Sequence, residues 1–204
     1  MRRKLQPIPL WIQWILATSL SIPLGWGFWL LRPLVESLPV VRAIVAIAIV
    51  LLTFLPLALS QWAILRRRIR HAVWWIPATA MGAILGLLGA SLSLSLLGRS
   101  RFFIELGFFV SAFAGGAIVG FLQGLVLLPN SKKAYWWIVA SGLGWMSSVS
   151  WLALYSMNLF FSRFDPSELA GWFILAGASG GIGGMIKGIT LAWILANPRP
   201  RREG

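Results

Sequence analysis

Six long apolar stretches, at residues 9–31, 43–65, 72–97, 103–129, 134–161 and 169–196, constrain this chain more than anything else in it. An apolar helix needs roughly 20 residues to cross the hydrocarbon of a bilayer. Each stretch is long enough, and each is separated from the next by a charged or proline-containing segment. A chain of 204 residues that is 58% hydrophobic and 11% charged lies far outside the range of soluble proteins. The expected fold is an all-α integral membrane bundle of six helices, one transmembrane domain over residues 1–204. Short joins make neighbours in sequence antiparallel neighbours in space.

The net charge of +13 is not that of a nucleic-acid binder, because the basic residues sit in short clusters between apolar runs and form no basic face. Lys and Arg resist translocation, so their distribution predicts orientation. One side collects twelve: Arg2, Arg3, Lys4, Arg66, Arg67, Arg68, Arg70, Lys132, Lys133, Arg199, Arg201 and Arg202. The other collects five, namely Arg32, Arg42, Arg99, Arg101 and Arg163, and Lys187 falls inside the sixth span. Twelve against five places both termini in the cytoplasm. Four of the five acids, Glu36, Glu105, Asp165 and Glu168, lie on the outer side where helices two, four and six begin. There a carboxylate meets the positive end of the helix dipole. Asp165-Pro166-Ser167-Glu168 has the form of a capping box. Arg32 with Glu36 and Arg101 with Glu105 have the spacing of a surface pair. The basic start Met1-Arg2-Arg3-Lys4 resembles that of a signal peptide, but the run behind it is long and lacks a small-residue cleavage site, so it reads as a retained helix.

Self-comparison reveals an internal repeat. Trp74-Trp75-Ile76 recurs as Trp136-Trp137-Ile138, Ala78-Thr79 as Ala140-Ser141, Gly82 as Gly144, Gln61 as Gln123 and Leu65 as Leu127, all at an offset of 62. Trp14-Ile15, Ala17-Thr18 and Gly25 precede Trp75-Ile76, Ala78-Thr79 and Gly86 by 61. Lys187-Gly188 and Leu191 follow Gln123-Gly124 and Leu127 by 64. Three tandem two-helix units result, about 9–71, 72–133 and 134–197. Each enters and leaves on the cytoplasmic side, so they are parallel repeats about an axis along the membrane normal, a pseudo-threefold ring.

Gly116, Gly120 and Gly124 are spaced by four, and Gly180, Gly184 and Gly188 repeat that spacing. Gly82 and Gly86 supply a similar step. Small residues at this spacing let helix backbones approach closely in lipid. The first unit has Phe54, Ala58 and Trp62 instead, so its contacts should be looser. Most of the 13 tryptophans, Trp11, Trp14, Trp26, Trp29, Trp74, Trp75, Trp136, Trp137 and Trp172 among them, lie near span ends, as in an interfacial belt. Trp145 and Trp151 fall deeper.

Gln61, Gln123 and Lys187 share one repeat position and form the candidate polar site inside the membrane. The competing structural explanation is that Gln61 is hydrated near the interface and that Lys187, about 15 Å before Asn197, snorkels outward on its long stem. No catalytic residue, metal site or cofactor emerges. Cysteine is absent, which removes thiol catalysis and thiolate ligands. The interior of the spans holds no Asp, Glu or His for acid–base or metal chemistry. His71 follows the Arg66–Arg70 cluster and reads as a solvated loop residue. A lone serine with Lys187 is the one nucleophile–base pairing left, and nothing selects the serine. A retinal Schiff base on Lys187 fits neither six helices nor the lack of a carboxylate. Gln could ligate a chlorophyll magnesium, but no span holds a histidine. The glycine-rich run Gly177–Gly184 lacks the ending of a phosphate loop.

The segment Gln61-Trp62-x-x-Leu65-Arg66, followed by Trp74-Trp75 and Gly82-x-x-x-Gly86, resembles a group of uncharacterised bacterial membrane proteins, mostly cyanobacterial, that repeat Gly-x-x-Gln-Trp-x-x-Leu-Arg before a Trp-rich helix. The resemblance covers helices two to four, and the remainder through the repeat. It departs at Ala58 for Gly, Gly124 for Trp and Lys187 for Gln. It implies a bacterial plasma or thylakoid membrane and carries over no catalytic residue. The functional expectation is a non-enzymatic scaffold or accessory subunit acting through helix contacts, with membrane lipids and a membrane complex or homo-oligomer as partners. The alternative is a small-solute carrier or substrate-binding component using Gln61, Gln123 and Lys187 at the pseudo-threefold axis.

Overall fold

The computed structural model describes residues 8–28, 42–97, 101–159 and 169–198. These residues form six α-helices: α1 (Leu10–Gly27), α2 (Arg42–Leu65), α3 (Trp75–Leu97), α4 (Arg101–Leu127), α5 (Trp136–Leu159) and α6 (Leu169–Leu195), with a 3-10 turn, Ala72–Trp74, leading into α3. No strand occurs among the described residues. Among the described residues, four stretches are long and apolar enough to cross a membrane: Ile47–Leu65, Ala72–Gly89, Gly107–Leu127 and Phe173–Leu195. The apolar stretch of α1, Leu10–Gly25, is shorter. α5 is 24 residues long, but Ser141, Ser147, Ser148, Ser150, Ser156 and Asn158 dilute its apolar character.

Local sequence explains where these helices stop. α2 ends as the cluster from Arg66 to Arg70 begins, and all four of its arginines are exposed. α4 ends two residues before Pro129 and α6 three before Pro198, where the proline ring disfavours helical backbone in the residue ahead of it. Asn130 Nδ2 donates to the Val126 carbonyl at 3.3 Å and Asn197 Nδ2 to that of Trp193 at 2.8 Å, satisfying acceptors at both helix ends. The same amides accept from neighbouring loops: Asn130 Oδ1 from the Arg70 N–H at 3.4 Å, Asn197 Oδ1 from Lys133 Nζ at 3.2 Å. This basic end of the bundle is thus laced together. The proposed capping box at Asp165–Glu168, the Arg32–Glu36 pair and the basic termini lie outside the described residues.

The helices pack in chain order, each against the next, and α6 returns to α1 to close a ring. Glycines set the closest seams. A methyl group at Gly116 would stand 2.7 Å from the Ser141 carbonyl oxygen, and one at Gly120 would stand 2.5 Å from Ser141 Cβ, so α4 lies almost in backbone contact with α5. Likewise methyl groups at Gly184 and Gly188 of α6 would stand 3.0 Å from Thr18 Cβ and the Trp11 carbonyl oxygen of α1, and one at Gly86 of α3 would stand 2.7 Å from the Gly115 carbonyl oxygen on α4. Gly124 is the exception: its nearest neighbour is the Ala134 carbonyl at 3.6 Å, ordinary contact. The glycine-poor seam of α2 on α3 is the sparsest of the six. There Ala58, 2% exposed, stands where α4 and α6 have Gly120 and Gly184.

Outward faces are greasy, with Leu20, Ile44, Leu88, Leu92 and Ile174 all prominently exposed. Inside, the core concentrates at the basic end, where Leu65, Leu127, Leu191, Trp14, Trp75 and Trp137 are each 0% exposed.

Candidate functional site

Three indole rings occupy the centre of the ring at its basic end. Trp14 of α1, Trp75 of α3 and Trp137 of α5 touch pairwise, with centroids 5.8, 5.6 and 5.6 Å apart. Trp14 meets both partners edge-on, at 86° and 87°, the orientation that sets a ring's positive edge against a negative face. Roughly 10–12 Å further along the helices, by residue count, Phe54 of α2 and Trp145 of α5 stack across the bundle at 5.3 Å and 12°.

Their places near span ends predict an interfacial belt for Trp14, Trp75 and Trp137, whereas all three are buried in the core. Each adjacent pair splits: Trp74 and Trp136 are exposed while Trp75 and Trp137 are fully buried, and Trp11 and Trp14 divide the same way. Consecutive helical residues point about 100° apart, so one indole can serve the surface while the next fills the core. The repetition of Trp at equivalent positions was the signal available; what it did not reveal was which of each pair turns inward.

The candidate polar residues surround these rings. Gln61 Oε1 accepts from Trp75 Nε1 at 3.0 Å, and Gln123 Oε1 accepts from Trp137 Nε1 at 3.0 Å, the same bond made twice. Gln123 Nε2 also donates to Thr79 Oγ1 at 2.8 Å, and that hydroxyl donates back to the Trp75 carbonyl at 2.8 Å. Gln61 is 2% exposed and Gln123 4%, so Gln61 is not hydrated at an interface, the alternative its nearness to Arg66 allows. Each amide satisfies an indole N–H that would otherwise be buried without an acceptor.

Lys187 departs from this pattern. At 6% exposure it does not snorkel. Its stem lies along α5, so that a methyl at Gly144 would stand 3.2 Å from both its Cγ and Cε. Among the described residues it forms no hydrogen bond or ion pair. No group of three or more His, Cys, Asp or Glu able to hold a metal occurs among the described residues. His71 is exposed and holds a left-handed backbone, φ 59°, ahead of the turn into α3. Gln61 and Gln123 are therefore joined through the indole cluster, while Lys187 stands apart from their hydrogen bonds.

The arrangement packs and orients. Among the described residues the buried hydroxyls of Thr18 and Thr79 donate to the carbonyls four residues back, both at 2.8 Å, and the buried Ser148 hydroxyl shares its proton between the Gly144 and Ser179 carbonyls at 2.8 and 2.9 Å. Comparison of the chain with protein families, curated proteins and solved structures finds no match.

Proposed function

We propose that this chain is a non-enzymatic, multi-pass membrane protein that works as a scaffold or accessory subunit through its outward helix faces. In this reading three tandem two-helix units surround a pseudo-threefold axis, with the basic end and both termini in the cytoplasm. The observation that carries it is the filled axis: Trp14, Trp75 and Trp137 close the centre of the ring at one end, and their N–H groups at Trp75 and Trp137 are already engaged by Gln61 and Gln123. Where a carrier needs an open central path, a plug of three contacting indoles leaves the outer surface as the place to act. That surface is apolar around the bundle, suited to lipid and to other transmembrane helices.

The test is extraction of the full chain in lipid nanodiscs directly from its native membrane, followed by mass determination. A scaffold emerges as a stoichiometric complex or homo-oligomer that single leucine-to-tryptophan changes on an outward face disrupt. A lone monomer in every preparation would remove this reading.

One observation favours a second reading, a small-solute carrier or substrate-binding component: Lys187 is buried without a counter-charge among the described residues. Solute uptake into proteoliposomes that is lost in K187M distinguishes it.

A further inference from the structure

Among the described residues, three buried side-chain polar atoms lack any hydrogen-bond partner, and two of them are Trp14 Nε1 and Ser141 Oγ. Both fall where one substitution in the repeat removes a partner. Gln123 serves two helices at once, accepting from Trp137 Nε1 on α5 and donating to Thr79 Oγ1 on α3. Carried round the ring, the matching partners of position 187 on α6 are Trp14 on α1 and Ser141 on α5. Contacts place Lys187 at that corner. Gly184 and Gly188 flank it and lie against Thr18 and Trp14, and its stem runs beside Gly144, three residues beyond Ser141. Unlike Thr18 and Thr79, Ser141 does not donate to the carbonyl four residues back, so its hydroxyl is free.

Lysine cannot replace glutamine in this position. Its ammonium only donates, and so cannot take the indole proton of Trp14. The corner therefore presents three donors, Trp14 Nε1–H, the Ser141 hydroxyl and Lys187 Nζ, on residues 0%, 1% and 6% exposed. None of the chain's five acids lies within α1, α5 or α6 to neutralise it. A buried charge is stable only when paired, and a buried donor only when bonded.

We propose that this third corner of the ring binds a compact anionic acceptor, a halide or a carboxylate or phosphate oxygen, which gives the Trp14 indole N–H the acceptor that Gln61 and Gln123 give Trp75 and Trp137 at the other two corners. The inference rests on the ring register set out under the proposed function. It does not depend on whether the protein scaffolds or carries. The ammonium carries a full positive charge and the indole N–H can only donate, which excludes a cationic ligand. Close packing around Gly144 and Gly184 favours a small one.

The full chain, purified in a nonionic detergent with bulky lactobionate as the sole anion, supplies the test. Exchanging lactobionate for chloride or acetate at constant ionic strength raises Tm by about 5 °C as the anion approaches 100-fold its Kd. K187Q, which restores the repeat's own residue, has a higher Tm than the parent in lactobionate and no response to anion. K187M also has no response but a lower Tm than K187Q, because it leaves Trp14 and Ser141 unpartnered. Nanodiscs of phosphatidylcholine with and without phosphatidylglycerol separate the sources: a rise with phosphatidylglycerol and none with chloride or acetate assigns the anion to a lipid headgroup. No response of the parent to chloride, acetate or phosphatidylglycerol overturns the proposal, as does a response undiminished in K187Q, which would be general screening of the +13 charge. A higher Tm for K187Q without any anion response in the parent also overturns it while leaving the ring register standing. Equal Tm values for K187Q and K187M would remove the register itself.

Discussion

Gln123 does more than any other side chain to join the helices around it. Its carbonyl takes the Trp137 indole N–H at 3.0 Å and its amide reaches Thr79 at 2.8 Å, so one residue on α4 bridges α3 and α5. Replacing it by leucine conserves bulk but strands a fully buried N–H, which costs about 1–3 kcal/mol. With lactobionate as the sole anion, Gln123→Leu should therefore lower Tm by more than Lys187→Leu, because Trp14 Nε1 then already lacks a partner and loses nothing. Thermal unfolding followed by tryptophan fluorescence compares the two. A larger loss for Lys187→Leu would show that the lysine, and not the glutamine, is the structural residue. That these three positions correspond is legible from the repeat alone. Their roles are not, because whether an amide faces water or an indole depends on which helix comes round to meet it.

At the scale of helices, glycine spacing predicted close seams and the structure separates glycines that look alike in sequence. Gly116 and Gly124 belong to one run at a spacing of four. Added methyl groups would meet the Trp145 Cβ at 2.5 Å and the Ser141 carbonyl at 2.7 Å in the first case, and nothing nearer than 3.6 Å in the second. Gly116→Ala must push α5 away and should cost about 1–3 kcal/mol. Gly124→Ala fits, and replacing glycine within a helix gains up to about 1 kcal/mol. Opposite shifts in Tm are expected, and two losses of equal size would mean that the α4–α5 seam is not as close as described. The looser fit at Gly124 has a cause in the ring's geometry: beyond it the chain turns through Pro129 into the loop leading to α5, and its neighbour is the Ala134 carbonyl of that loop. Sequence spacing counts residues along one helix and is silent about the height at which the partner helix begins.

For the molecule as a whole, ring closure and orientation are the two large expectations. Closure of α6 on α1 joins parts of the chain more than 150 residues apart by number and rests on Gly180, Gly184 and Gly188 against Thr18, Ile15 and Trp11. Orientation rests on charge. Reporter enzymes fused to either terminus or inserted at Arg68 should report the cytoplasm, and one inserted after Gly98 should report the opposite side; activity in any other pattern overturns the twelve-to-five assignment. Composition and periodicity by themselves determined that this chain is helical and apolar, where its helices start and stop to within a few residues, and which positions recur, since those follow from hydrophobic length, proline, charge and local spacing. Only the tertiary structure decided that Trp14, Trp75 and Trp137 meet in the centre, that Gln61 and Gln123 are spent on the N–H groups of Trp75 and Trp137, and that Trp14 and Ser141 are left without partners on the helices that flank Lys187. The reason is physical: a hydrogen bond between residues on different helices depends on rotation and height, and those are set by the packing of all six helices around one axis.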